Sequence, residues 1–580
     1  MALLVAVLVF LLPGFAWLLV SGLFRRLNIL SALAFSFILS ICLLSVTSAS
    51  LSFLTSAYLR YTIGAALILP IIATVFHFSR NHFHDILTME ISVSPLLLLC
   101  LAVYVLFLAV YFWSTPYYPA TSTSDPFAHA QFTQSIASGE GRSVLLYSNY
   151  PVGFHFASAI MMSIMGMNAT ESVSALSSLV LVSGPVLIYV CAQALFHKED
   201  LAALTAVVGT LILPVDAMHF ILLGTYPNVL EDAIILATLF LLFSYLKEPS
   251  MSIGVSLAFV GAAGLFTHSS YLLFLAVLWV LSPIMYLIMR EKSTLRLYFQ
   301  ASVFSTVGIL FAGLVALSFL KGNLERVLEA YSIVHFIGGA TTAQLLRNLA
   351  VMYQILVWNL VFLIKPLNLI AIVLGFIFVM VKAGQSIGRI FTACWFATLV
   401  LASLASGQTD RFVLFSMIPA IFIVGNLVGN IPSPKKVNLK MIDRKIIIAS
   451  VLVVLVAFGG FVPLIPIAFD PGRRSHQENI VASMKWLQQN NCPSGIASVG
   501  MRTDYRYLPI LTDVQYSGYI PSSSVTNSDQ VLQESETMGF ACVVVQTYNP
   551  IIHSLEANQA FQERYRNTEV AIFFITSQGS

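Results

Sequence analysis

Residues 122–155 hold a polar segment between long apolar runs. It reads Ser122-Thr-Ser-Asp125-Pro-Phe-Ala-His129, then Asn149-Tyr150-Pro-Val-Gly-Phe-His155. A carboxylate in such a place can take a proton from an attacking hydroxyl as a general base. It can also supply oxygen ligands to a divalent metal, magnesium or manganese. Asp125-Pro126 is equally a helix start, with Asp as N-cap and Pro at the first helical position. Capping alone would account for it. The neighbours argue for chemistry: hydroxyls precede Asp125, and His129 comes one turn later near the same side. The predicted helix runs to about Ser138 and stops at Gly139.

Three further places put polar groups where hydrocarbon is expected. Glu231-Asp232 comes after Tyr226-Pro-Asn228 at the start of an apolar run. Acidic residues just inside a membrane boundary are rare and costly. The alternative is a first-turn pair interacting with the helix dipole. Asp232 joins Asp125 as a candidate metal ligand. His268 stands in Phe-Thr-His-Ser-Ser between two apolar runs, as a substrate-positioning group or as a satisfied interfacial residue. Arg411, in Asp410-Arg411-Phe412, offers a planar fork for phosphate oxygens; the alternatives are a local pair with Asp410 or snorkelling. Lys321, Arg326 and Arg347 are further cations that could meet a phosphate.

The elements that position these residues are membrane helices. Of the 580 residues 58% are hydrophobic and 9% charged, against about 25% charged in soluble domains. Mean hydropathy is +0.87. A span needs about 20 apolar residues. Candidate spans are 2–22, 29–54, 61–78, 95–113, 171–196, 201–221, 228–246, 251–269, 271–289, 298–320, 366–382, 390–406, 411–430 and 446–467. In lipid the backbone must bond internally, so these are helices; their uniform apolarity excludes barrel strands, which alternate. The first segment lacks a basic leader region and reads as a span rather than a cleaved signal. The net charge of +3 comes from membrane-flanking loops and points to no nucleic acid. Of six cysteines, Cys42, Cys100, Cys191 and Cys394 lie in apolar runs, and none has metal spacing. Cys492 and Cys542 could pair if the polar tail is extracytoplasmic.

Lys and Arg in short loops mark the cytoplasmic side. The basic loops are Arg25-Arg26, Arg80 among 79–90, Arg290 to Arg296, Lys382 to Arg389 and Lys435 to Lys445. Placing them inside puts 114–150, Gly224 to Asn228, 321–348, Gly407 to Arg411 and the tail outside. The count works if 152–166 and 349–364 are juxtamembrane or re-entrant helices. About fourteen spans remain, with the N-terminus outside.

After Pro466 the composition shifts, and 470–580 reads as a small α/β domain. Expected are helices over Ser475 to Asn490, Asn527 to Met538 (capped by Asn527 or Ser528) and Ile552 to Tyr565. Strands are expected over Gly495 to Val499, Phe540 to Val545 and Val570 to Ile575. The tail has no phosphate-binding glycine loop and is assigned no catalysis.

An outer loop with an acidic residue, a short helix and a Tyr-Pro-x-Gly-x-His turn resembles the GT-C superfamily of membrane glycosyltransferases. Protein O-mannosyltransferases, aminoarabinose transferases and oligosaccharyltransferase catalytic subunits belong there. The outer tail, with Trp486-Leu487 near its start and Tyr565-Arg-Asn-Thr-Glu-Val570 near its end, resembles tails of archaeal and bacterial members. The resemblance covers roughly 95–580. In such enzymes the first outer loop carries the catalytic acid, matched here by Asp125, often beside a second acid. Here Ser-Thr-Ser stands instead, a departure from the metal-dependent pattern. The Trp-Trp-Asp-Tyr-Gly acceptor motif of oligosaccharyltransferases is absent from the sequence, which disfavours an asparagine sequon as acceptor.

Three parts are expected: N-terminal transmembrane helices 1–94 outside the resemblance, a catalytic module 95–467 with outer loop 114–170 that the resemblance implies, and an extracytoplasmic α/β domain 468–580. The expected fold class is mainly α, a polytopic helical bundle with a small α/β domain. The expected function is inverting transfer of a sugar from a polyprenyl-phosphate-linked donor to an acceptor hydroxyl. The acceptor would be a glycan, lipid or protein, reached at the extracytoplasmic face of the plasma membrane. Asp125 and His129 would be catalytic. Tyr150, His155, Glu231, Asp232, His268 and Arg411 would bind substrate. Rival readings are a polytopic transporter or lipid flippase, and a non-catalytic assembly scaffold.

Overall fold

A computed structural model describes residues 1–80, 93–114, 125–147, 150–196, 199–212, 225–268, 270–289, 292–315, 346–350, 365–382, 387–405 and 409–430. In the tail it describes most of 478–490, together with 495–499, 517–520 and 525–576. Six described helices are long and apolar enough to cross a membrane: Ala2–Ser21, Ile29–Leu51, Tyr58–Val75, Ala169–Phe196, Tyr226–Lys247 and Thr294–Leu314. The protein is an integral membrane protein. Each span expected up to 411–430 coincides at least in part with a described helix, several with shorter apolar stretches; 213–221 and 316–320 lie outside the described residues, and six of the fourteen expected spans meet the length and apolarity of a crossing helix. The span expected at 446–467, and residues 351–364 of the short helix expected over 349–364, lie outside the described residues.

Small residues and hydroxyls let these helices approach, as membrane helix packing requires. The backbone N–H of Gly14 donates to Ser40 Oγ at 2.8 Å, and a Cβ at Gly14 would sit within the Ser36 backbone. Trp17 Nε1 donates to Ser256 Oγ at 2.7 Å, joining the Ala2–Ser21 helix to Met251–Thr267. Asn28 caps Ile29–Leu51 by accepting from the Ser31 N–H, and Ser250 caps Met251–Thr267 by accepting from the Ile253 N–H. At one end of the bundle Arg26 Nη1 donates to the Ser244 carbonyl at 3.0 Å and pairs with Glu248. That end is therefore the C-terminal end of Tyr226–Lys247. Glu231 and Asp232, six and seven residues into the same helix, lie toward the other.

The tail is a five-stranded mixed sheet between helices. Its strands are β1 (Ile496–Val499), β2 (Ser517–Ile520), β3 (Cys542–Gln546), β4 (Phe561–Arg566) and β5 (Val570–Ile575), in the order β2-β1-β3-β5-β4. β1 runs parallel to β2 and β3, and β5 antiparallel to β3 and β4. Ala497, Val543 and Phe573 pack with Val531, Ile552 and Leu555 on one face. Ile496, Val544 and Ile572 pack with Leu487 and Trp486 on the other. Burial on both faces explains the unbroken apolar run of β3. Asn527 accepts from the Gln530 N–H as the predicted cap of Ser528–Met538. Cys542 is disulfide-bonded; its expected partner Cys492 lies outside the described residues.

One tail element differs from expectation. Ile552 to Tyr565 is not a single helix: Ile551–Ala557 ends at Asn558, and β4 begins at Phe561. Asn558 takes an extended conformation, and its Oδ1 accepts from the Ala560 N–H at 2.9 Å. That local bond competes with the next helical turn, and the free edge of β5 captures residues 561–566 as a strand. Strand β2 is not expected from the sequence.

Candidate active site

The polar segment folds as short helices. Asp125–Ser135 begins at Asp125 as predicted. It runs into a π-type turn, Ile136–Glu140, in which Gly139 has φ 97°, a left-handed conformation open to glycine. Helix Gly141–Tyr147 comes next. Tyr58 anchors the turn by donating its hydroxyl to the Ile136 carbonyl.

Helix Gly153–Met165 starts two residues before His155 and, at 13 residues, is too short to span. Ser45 Oγ donates to the Gly153 carbonyl at 2.8 Å. A Cβ on Gly153 would lie 2.9 Å from the Phe266 backbone. Glycine there lets this helix start press against the end of Met251–Thr267, where His268 is the C-cap residue.

These contacts gather most of the sequence-predicted residues. Nδ1 of His129 lies 3.0 Å from Nε2 of His155, with His155 fully buried and His129 nearly so. Nδ1 of His268 lies 3.0 Å from Glu231 Oε2. Ser270 Oγ donates to the same oxygen at 2.8 Å and also touches His268 Nδ1. Asn228 Nδ2 approaches that oxygen at 3.5 Å. Glu231 is 0% exposed, and its other oxygen, Oε1, is buried without a hydrogen-bond partner. Tyr150 stands among the imidazoles, its ring centroid 5.9 Å from His129, 6.1 Å from His155 and 6.4 Å from His268. It stacks on Phe132 at 5.6 Å with the planes 10° apart.

Burial keeps the inner imidazoles neutral. It pulls His129 down to about 3, and nearby His268 adds to the effect. Burial also holds His155 well below the usual histidine range, aided by His129 and opposed by the Val152 carbonyl. Neutral imidazoles and a buried carboxylate oxygen present hydrogen-bond acceptors, and Tyr150 over Phe132 adds an aromatic face. A ligand rich in hydroxyl donors with apolar C–H surfaces complements that set.

Glu231 and Asp232 are the sixth and seventh residues of Tyr226–Lys247, whose first turn holds no acidic residue. The first-turn dipole arrangement is therefore not the one found. Asp232 is buried beside Glu231. Asp125 opens the helix that carries His129, and Arg411 is the third residue of Thr409–Gly429; both side chains lie outside the described residues. Lys321 and Arg326 also lie outside them, while Arg347 is exposed. Sequence reasoning passes over Ser270 and Phe132. Ser270 is visible within Thr-His-Ser-Ser; Phe132 carries no signal beyond helical spacing.

No protein-family model and no curated protein sequence matches the chain. Solved structures do. ArnT from Cupriavidus metallidurans, bound to undecaprenyl phosphate, superposes with a TM-score of 0.51 at 12% identity, over 84% of this chain and 99% of ArnT. The fold is the GT-C fold. The archaeal oligosaccharyltransferase AglB from Archaeoglobus fulgidus, in complex with an inhibitory peptide and a dolichol-phosphate, gives 0.45 at 10% identity, over 82% and 74% of the two chains. The mycobacterial arabinofuranosyltransferase AftD gives 0.47 at 13% identity, over 84% and 42%.

The histidine and carboxylate cluster does not by itself form a divalent-cation site. Among the described residues no three metal-capable side chains converge. His129 and His155 turn nitrogens toward each other, and Glu231 Oε2 is occupied by Ser270 and His268. The facing nitrogens of His129 and His155 and Oε2 of Glu231 are thus already engaged, while of the expected metal ligands, Asp125 and Asp232, the Asp125 side chain lies outside the described residues.

Proposed function

We propose that this protein is a membrane glycosyltransferase that moves a sugar from a polyprenyl-phosphate-linked donor to an acceptor hydroxyl of a glycan, lipid or protein. The observation that carries the reading is the convergence of His129, His155, His268, Glu231 and Tyr150 at one end of a bundle that shares its fold with ArnT. Asp125, one turn before His129, takes the proton of the acceptor hydroxyl. That oxygen attacks the anomeric carbon from the face opposite the phosphate, so configuration inverts. The C–O bond to phosphate breaks, and its electron pair leaves with polyprenyl phosphate, whose growing charge Arg411 receives. Tyr150 and His268 meet the sugar, and the buried His155, Glu231 and Asp232 support that binding site from behind.

Two observations support an extracytoplasmic site in the plasma membrane. Arg25 and Arg26 lie at the bundle end opposite the cluster, near Ser244 and Glu248, and basic residues favour the cytoplasm. Cys542 in the tail is disulfide-bonded, as oxidising compartments allow. A transporter would instead gather its polar groups near the midplane on broken helices, whereas this cluster sits at helix ends. The deciding measurement is release of polyprenyl phosphate by purified protein from a panel of undecaprenyl-phosphate sugars supplied with a membrane glycan extract. Turnover of at least one donor is expected. Inertness toward the panel, with flux of the same lipids across proteoliposomes, would establish the transporter instead.

A further inference from the structure

We propose that Glu231 and Ser270 are positioning residues that fix the proton of His268 on Nδ1, so that Nε2 stands ready to accept a hydrogen bond from a sugar hydroxyl. This rests on the glycosyltransferase reading and assigns a tautomer and a specificity role within that site.

The argument is a count of hydrogens. Glu231 is out of reach of solvent, and the donors the protein offers it gather on Oε2, Oε1 having none among the described residues. Ser270 Oγ supplies one at 2.8 Å, and a hydroxyl has a single hydrogen to give. The next atom on that oxygen is His268 Nδ1 at 3.0 Å, while Asn228 at 3.5 Å is too far for a strong bond. With its proton on Nδ1, His268 supplies the second donor. With its proton on Nε2, the bare Nδ1 faces the carboxylate and a serine oxygen whose hydrogen is already committed, which is repulsive. The backbone N–H of Ser270 also points at Nδ1, but at 3.4 Å, a weaker claim than either. Carboxylates that orient an imidazole by holding one ring N–H recur where the other nitrogen does the work.

The other nitrogen is open. The His268 side chain keeps 8% exposure, and no described residue hydrogen-bonds its Nε2. The Tyr150 ring stands edge-on to the imidazole, 6.4 Å away with 78° between planes, leaving the stacked face of Tyr150 and Phe132 beside it. An unprotonated nitrogen next to an aromatic face suits a pyranose, whose hydroxyls donate and whose C–H surface packs on the ring.

The test uses full-length protein in lipid nanodiscs with 15N-labelled histidine, the His268→Gln variant identifying the His268 signals. Nδ1 protonated and Nε2 bare at pH 7.5 is expected in the wild type. Ser270→Ala is expected to shift the population toward the Nε2-protonated form, and Ser270→Thr, which keeps the hydroxyl, to restore the wild-type pattern. Undecaprenyl-phosphate mannose, glucose and galactose are then added as probes. At least one should move the wild-type Nε2 resonance, with apparent affinity about tenfold weaker in Ser270→Ala, the scale of one hydrogen bond. A wild-type proton on Nε2, or an Nε2 signal unmoved by all three probes, overturns the proposal. Absence of polyprenyl phosphate release from every donor is read separately and counts against glycosyl transfer, not against the tautomer or the binding role.

Discussion

Nδ1 of His129 and Nε2 of His155 face each other across 3.0 Å, one from the helix that Asp125 opens and the other from the helix that Gly153 opens. One imidazole donates and the other accepts. A proton on the accepting nitrogen breaks that hydrogen bond, and a proton on either ring buries a charge away from solvent.

This makes stability sensitive to acid. The folded-state value of His129 is pulled from 6.5 to about 3. An unfolded chain binds the proton where the folded chain refuses it. Stability is therefore full above pH 6.5 and declines as pH falls toward 3, by about 1.4 kcal/mol per unit from this residue alone. Fluorescence melts in detergent from pH 8 to pH 4 should show a flat region and then a falling midpoint. His129→Gln should flatten the acid limb; an unchanged limb would remove His129 as its source.

Asp125→Asn should cut donor turnover by about 10²- to 10⁴-fold, the usual span for loss of a general base. Asn caps helices as well as Asp does, so the Asp125–Ser135 helix should survive with an unchanged melt. Normal turnover in a folded Asn variant would leave Asp125 as a cap alone.

Arg411→Lys keeps the charge and loses the planar fork. The apparent donor constant for a polyprenyl-phosphate sugar should rise about tenfold, roughly 1.4 kcal/mol, with the melt unaltered. If Arg411 merely snorkels, Lys serves equally and donor titrations of the two proteins will superimpose.

Gly153→Ala places a Cβ 2.9 Å from the backbone of Phe266, which cannot swing aside as a side chain can. It should cost about 1–3 kcal/mol as an overpacked contact and weaken donor binding by moving His155 away from His268. Gly64 is the control: nothing lies within 4 Å of a Cβ there, and Gly64→Ala in mid-helix should stabilise by up to about 1 kcal/mol. Equal melts for the two variants would show that the close approach at Gly153 is not strained.

The helices are legible in the sequence because hydrocarbon leaves the backbone few ways to satisfy itself, and apolar runs of span length declare the helical one. Starts and stops are legible where residue type marks them: the helix start at Asp125-Pro126, the break at Gly139 with its positive φ, and the Asn527 cap. In the tail, β1, β3 and β5 are legible because they are short apolar runs, and burial of those runs is what the sheet achieves. β4 is not, because Phe561-Gln-Glu-Arg-Tyr-Arg is amphipathic enough to pass for helix until the edge of β5 claims it.

The site is legible as a set of unusual residues and not as an arrangement. Asp125, His129, His155, Glu231 and His268 stand out singly because polar groups at a membrane boundary are costly. Their partners depend on contacts that no local pattern encodes. His129 meets His155 because Tyr58 and Ser45 hold the turns on either side. Glu231 meets His268 and Ser270, more than 35 positions away in sequence, because two antiparallel helices put the start of one beside the end of the other. Sequence determined which groups must be satisfied or used, since that depends on residue type and solvent. Tertiary structure alone decided which nitrogen faces which oxygen, since that depends on ångström-scale packing at Gly153 and on where each helix ends.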